Sequence, residues 1–137
     1  MTDDETRQSN LALMQEYQAL LLQRRFDQWI QLWHDDGVCE FPFAASGRPK
    51  RLEGKDQILS YMTGYPSRFS IDGVDKLQVH QGLDPDLVVV EMTIRGRAVE
   101  TDKPYNQQYV IVAQTRDGKL AHYREYWNPL VTAEALS

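Results

Sequence analysis

Residues 105–127 read YNQQYVIVAQTRDGKLAHYREYW, two alternating runs joined by Arg116-Asp117-Gly118-Lys119. An Asp-Gly pair between such runs signals a hairpin, because the turn needs positive φ and glycine supplies it without steric cost. The spacing predicts antiparallel strands at Tyr105–Thr115 and Leu120–Trp127, the second broken by Asn128-Pro129. In the first run Gln107, Tyr109, Ile111 and Ala113 share one phase, and Gln108, Val110, Val112 and Gln114 the other. Both phases carry apolar side chains, so both faces are expected to be covered. In the second run Ala121, Tyr123, Glu125 and Trp127 stand on one phase, opposite His122, Arg124 and Tyr126.

Outward from this hairpin the alternation continues. Leu87–Val99 reads as a long strand, with Val88, Val90, Met92 and Ile94 on an apolar face and Leu87, Val89, Glu91, Thr93 and Arg95 on a mixed one. Gly82-Leu83-Asp84-Pro85-Asp86 is a turn cluster, and Val74–Gln81 is the strand before it. Further back the period changes from alternating to helical. Asn10, Met14, Tyr17 and Leu21, widened by Leu11 and Leu20, predict a long first helix capped by Thr2 or Asp3. Phe26, Trp29, Ile30 and Trp33 predict a short second helix, ended by His34-Asp35-Asp36-Gly37. Val38–Phe43 reads as a strand, closed by Pro42 and a loop over Ala44–Arg51. A third helix opens at Gly54-Lys55-Asp56, carries Ile58, Leu59, Met62 and Tyr65 on its apolar stripe, and stops at Tyr65-Pro66. Three helices and a run of antiparallel strands make an α+β fold, in which a curved, antiparallel-rich sheet wraps the long N-terminal helix and leaves a pocket between them.

Composition narrows the function classes. At 137 residues the chain is expected to form one domain with a sizeable core. Its formal net charge of -5 argues against nucleic acid, since phosphate binding wants a basic face. No apolar run approaches the roughly 20 residues that span a bilayer. The acidic start MTDDETRQSN lacks the features of a signal peptide, so a reducing cytoplasm is the expected compartment. One cysteine, Cys39, excludes an internal disulfide, and it reads as an inert buried thiol. His34, His80 and His122 are too far apart for the HExxH zinc pattern. His34 suits a helix end, and His80 and His122 fall on the polar phases of their strands. No phosphate-binding glycine loop and no GxSxG elbow occurs.

Glu125 is the residue with the clearest chemistry. A carboxylate between Tyr123 and Trp127 on an inward face loses hydration, which raises its pKa and suits it to acid/base work near neutrality. Two readings stay open at this point. A catalytic Glu125 reaches an open cavity; a structural one is locked against an arginine or a tyrosine. Tyr17 and Tyr61 lie on apolar helical faces, where a tyrosine usually satisfies its hydroxyl locally.

The order of segments, Glu53-Gly54-Lys55-Asp56 before the third helix, and Asp117-Gly118-Lys119 before YREYWNP together resemble the SnoaL-like, ketosteroid-isomerase-like branch of the nuclear transport factor 2 superfamily. The resemblance runs from Gln8 to Leu136 and implies one such domain over residues 1–137. It implies a cone-shaped, cystatin-like α+β barrel with the pocket inside and a homodimer through the outer sheet face. Glu91, Thr93, Arg95, Gln108, Val110 and Val112 would form that face.

Three activities of that superfamily map differently onto this chain. Ketosteroid isomerases carry a carbonyl-polarising tyrosine where Tyr17 stands, but their proton-shuttling aspartate falls on Phe41, followed by Pro42. In limonene-epoxide hydrolases an arginine and two aspartates act together, and those positions look like Met92, Ile94 and Glu125. PhzA/PhzB proteins end their last strand in the form REFMN, which Arg124-Glu125-Tyr126-Trp127-Asn128 resembles; their acid/base glutamate matches Glu125, and their helix-three histidine falls on Tyr61.

The expected site therefore has Glu125, Tyr17 and Tyr61 as catalytic groups. Phe41, Met92, Ile94, Gln107, Tyr109, Tyr123 and Trp127 are expected to contact a hydrophobic or aromatic small molecule, with no metal or organic cofactor. The competing class is a non-catalytic ligand-binding or carrier dimer.

Overall fold

The structure is a computed structural model that describes residues 1–137. Helix α1 runs Asp3–Leu22, and the Thr2 hydroxyl accepts from the Glu5 N–H at 3.1 Å, satisfying one of the donors a helix start leaves free. The chain turns away just after it, at Arg24, held at φ 56°. Helix α2 is a single turn, Phe26–Trp29, extended by a tight turn over Ile30–Leu32. Strands β1 (Trp33–Glu40) and β2 (Arg51–Glu53) precede helix α3 (Lys55–Gly64). Strands β3 (Phe69–Gln81), β4 (Leu87–Ala98), β5 (Gln108–Arg116) and β6 (Lys119–Trp127) follow, and helix α4 (Pro129–Leu136) closes the chain.

One six-stranded sheet forms, in the order β2-β1-β6-β5-β4-β3. Every neighbouring pair is antiparallel except β1 with β6, which run parallel. The fold is the expected α+β arrangement of a long first helix and a mostly antiparallel sheet. The inner face follows the alternation read from the sequence. Val88, Val90 and Ile94 on β4, Tyr109, Ile111 and Ala113 on β5, and Tyr123 on β6 are all buried. Leu13, Met14, Tyr17 and Leu20 of α1 pack against Val88, Val90, Ile111, Ala113 and Tyr123 in the main core, and Ile94 and Tyr109 belong to a second, smaller cluster with Phe69, Ala98, Tyr105 and Ala135. No helix is long and apolar enough to cross a membrane.

Four local expectations are corrected. Residues 34–37 do not end a helix; they belong to β1, which shifts register against β6 between Trp33 and Val38. The Trp33 ring presses on Gly37, where a Cβ would meet it at 2.8 Å, so this glycine is a packing requirement. Strand β2 lies at the end of the expected loop, where Leu52 alone is buried. Strand β3 starts at Phe69 rather than Val74 and is tied to β4 across two register shifts. Gly96 permits that approach, since a Cβ there would sit 2.4 Å from the Ser70 carbonyl oxygen. Asn128-Pro129 breaks the strand as expected and also starts α4: the Asn128 side chain accepts from the Leu130 N–H at 3.0 Å, and proline fills the first helical turn.

Candidate functional site

Strand β6 aims Tyr123, Glu125 and Trp127 inward, and its register across β5 sets them beside Ala113, Ile111 and Tyr109. The sheet and the helices fail to close over this region, leaving two chambers. The larger, about 120 Å³, is walled by Gln18 and Leu21 of α1, Met62 of α3, Met92 and Ile94 of β4, and Tyr109, Tyr123 and Glu125. The smaller, about 50 Å³, is lined by Phe41, Tyr61, Arg68, Tyr105 and Trp127. Met62, Tyr65, Phe69, Tyr109 and Glu125 border both, so they form the partition between them. Each volume exceeds the roughly 10–15 Å³ that one water requires.

Glu125 is half-buried, and the two chambers adjoin it. It forms no ion pair with any lysine, arginine or histidine. Loss of hydration raises its pKa from 4.5 to about 7, while the neighbouring Tyr123 hydroxyl pulls in the opposite direction. The carboxyl is thus poised to exist in both protonation states near neutral pH.

Across the partition stands a chain of three phenols. The Tyr109 hydroxyl lies 2.9 Å from that of Tyr105 and 3.2 Å from that of Tyr65. Three hydroxyls carry three protons and share two links, so one O–H remains to donate to whatever occupies the chambers. Burial pushes the Tyr65 and Tyr109 hydroxyls well above the usual tyrosine value, which keeps them protonated donors. Aromatic contacts fix the rings: Phe69 stacks on Tyr105 at 4.0 Å, and Phe41 stacks on Tyr61 at 4.8 Å and meets Trp127 at 5.5 Å between centroids.

The expected ligand contacts divide between the chambers. Met92, Ile94, Tyr109 and Tyr123 line the larger one; Phe41, Tyr61, Tyr109 and Trp127 line the smaller. Two expected site residues lie elsewhere. Tyr17 borders neither chamber; its ring is enclosed by Trp29 at 5.4 Å, Trp33 at 6.4 Å and Tyr123 at 5.3 Å. Gln107 is fully buried but spent: its amide nitrogen donates to the Asn128 carbonyl at 2.8 Å and to the Thr132 hydroxyl at 3.1 Å, and its oxygen accepts from the N–H groups of Gln108 and Asn128. That amide pins α4 to β5.

Sequence reasoning missed Gln18, Tyr65, Phe69, Tyr105 and Arg68. Gln18 is 5% exposed, lines the larger chamber, and its Nε2 has no hydrogen-bond partner. An unpaired buried amide costs about 1–3 kcal/mol, which makes it a conspicuous group in an apolar wall. No group of three or more His, Cys, Asp or Glu side chains converges to hold a metal ion. Cys39 is buried, and burial raises its thiol pKa. His80 bonds Glu91 at 2.7 Å and His122 bonds Glu40, both away from the chambers.

Comparison with known proteins places this geometry in a family. The SnoaL-like domain model matches residues 14–123. The Bacillus subtilis protein YesE is 38% identical over 122 residues, 89% of this chain and 83% of that protein. The PhzA/B-like protein PA3332 of Pseudomonas aeruginosa is 38% identical over 108 residues, 79% of this chain and 76% of its own. A crystal structure named "Putative Isomerase from Bacillus subtilis" superposes with a TM-score of 0.89 at 36% identity, covering 99% of this chain and 96% of that one. A phenazine biosynthesis-related protein of Pseudomonas aeruginosa has the same fold at 19% identity, with a TM-score of 0.79 over 98% of this chain and 88% of its own.

Proposed function

The chain belongs to the SnoaL-like domain family, related to the ketosteroid-isomerase-like and PhzA/B-like proteins, and from that premise we propose that it is an acid/base catalyst for a hydrophobic or aromatic metabolite, of the isomerase, cyclase or condensation type. The observation that carries this reading is Glu125: a carboxyl with a pKa of about 7, on the partition of two apolar chambers, with no cationic partner. Relatives named for isomerase, polyketide cyclase and phenazine chemistry accord with it.

The chemistry is proton transfer at carbon. Ionised Glu125 takes a proton from a carbon next to a carbonyl, and the C–H electron pair moves into the C–C–O system. The spare O–H of the Tyr65–Tyr109–Tyr105 chain donates to the enolate oxygen that develops. Glu125 then returns its proton to the same or a conjugated carbon, or the enolate carbon attacks a second carbonyl and Glu125 gives its proton to the alkoxide oxygen that forms. The Gln18 amide serves a further polar atom of the ligand. The protein acts as a homodimer through the outer sheet face, where Val110 is 41% exposed and Val112 is half-buried in the isolated chain.

Deuterium exchange at the α-carbons of β-tetralone, an aromatic ketone, tests the reading. Loss of catalysed exchange in Glu125→Gln, with fold and probe binding intact, supports it. Exchange equal to the parent's assigns the chain to the ligand-binding class instead.

A further inference from the structure

Outside the smaller chamber runs a third hollow, a groove of about 320 Å³ lined by Arg48, Pro49, Ser60, Tyr61, Gly64, Tyr65, Ser67 and Arg68. It carries two guanidinium groups and no carboxylate, on a chain whose formal net charge is -5. Neither arginine enters an ion pair. Both line the groove beside Tyr61 and pull the pKa of its hydroxyl back down against burial. Tyr61, Tyr65 and Arg68 also line the smaller chamber, so groove and chamber share a wall. The Arg68 guanidinium carbon lies over the Phe69 ring, 5.2 Å from its centre.

We infer that this groove binds an anionic group, carboxylate or phosphate, of a ligand whose apolar part occupies the chambers beside Glu125. The substrate class is then an amphiphilic anion: a ring or short chain bearing an acid at one end and the reacting carbon at the other. Guanidinium forks match both anions, and a concave site with two of them holds an anion that a single exposed arginine would leave in water. The spacing of the parts fits proton transfer. An anion placed directly against Glu125 would raise its pKa further and keep it protonated. Anchored in the groove, the anion is held by Arg48 and Arg68 while the carboxyl next door keeps access to both protonation states.

The inference deepens the acid/base reading and rests on its view of the chambers as a ligand site. Titration of phenylacetate, phenyl phosphate and the neutral isostere phenylacetamide, followed by backbone amide NMR, tests it. At least one anion binds the parent tenfold more tightly than the amide, and the stronger of the two tells which acid group the groove prefers. That preference falls as salt is raised and shrinks to about twofold in the Arg48→Gln/Arg68→Gln double variant. Arg48→Glu, a change at an exposed position, reverses it without touching the packed Arg68. Equal binding of all three probes by the parent, no binding of either anion, or a preference that survives the double variant overturns the inference. Glu125→Gln retains the anion preference, so failure of the proton-transfer reading and failure of this one are read separately.

Discussion

The Tyr123 ring stacks on that of Tyr17, with centroids 5.3 Å apart and planes 27° from parallel. Tyr123 is chamber wall on one side and core on the other, and Tyr17 is the support behind it. The helix-one tyrosine thus supports the strand that bears Glu125 and borders neither chamber.

Truncating that support should act on stability before chemistry. Tyr17→Ala removes a fully buried ring and should cost about 3–5 kcal/mol in urea unfolding. Tyr17→Phe keeps the stack and should cost about 1 kcal/mol or less, with deuterium exchange at the parent rate. A Tyr17→Phe protein that folds normally but loses exchange would return Tyr17 to the catalytic groups.

Glu125 makes stability depend on pH in a known direction. Its pKa is raised to about 7 from 4.5, so the native chain holds a proton that the unfolded chain has already lost between those values. Stability is highest below the unfolded value and falls as pH rises through 7, by about 3 kcal/mol at most. Glu125→Gln lacks this slope. Urea unfolding at pH 5 and pH 8 should show the variant gaining on the parent at the higher pH; a difference that stays constant would show that burial does not raise the pKa of this carboxyl.

Gln18 should trade stability for binding. Gln18→Leu removes a buried donor without a partner and should be neutral or stabilising by about 1 kcal/mol, while weakening the affinity for β-tetralone. Thermal unfolding and an NMR titration measure both. A large destabilisation would mean that the amide has a structural partner.

The dimer is tested on β5. Val110 is exposed at the centre of the outer sheet face, and a stable interface there buries on the order of 1,200 Å² or more in total. Sedimentation should find the parent dimeric at micromolar concentration and Val110→Lys monomeric. A monomeric parent removes the proposal.

Local periodicity carried most of the architecture. The alternation in β4, β5 and β6 and the Asp117-Gly118 turn were legible because each depends on neighbours in sequence. What escaped depends on distant contacts. The exchange of a turn for a bulged strand at residues 34–37 follows from the Trp33 ring meeting Gly37. Asn128-Pro129 is equally a strand stop and a helix start, and only the capping bond to Leu130 separates the two. Gln107 shares the inward phase of Tyr109, yet that end of β5 faces α4, and the unforeseen helix takes its amide. Glu125 was legible from its phase between two aromatic residues. Gln18, Tyr65 and Arg68 were not, because their place at the chambers is set by how α1, α3 and the turn after α3 cross the sheet.

On the proposed function, Glu125 moves a proton to and from carbon inside these chambers and exchanges it with solvent. Its most direct test is the pH profile of catalysed deuterium exchange into β-tetralone, parent against Glu125→Gln, above the buffer rate. The parent rate should rise with an inflection near pH 7, where the carboxyl ionises, and the variant should stay at the buffer rate throughout. A parent that catalyses no exchange, or a variant that follows the parent's profile, would contradict it.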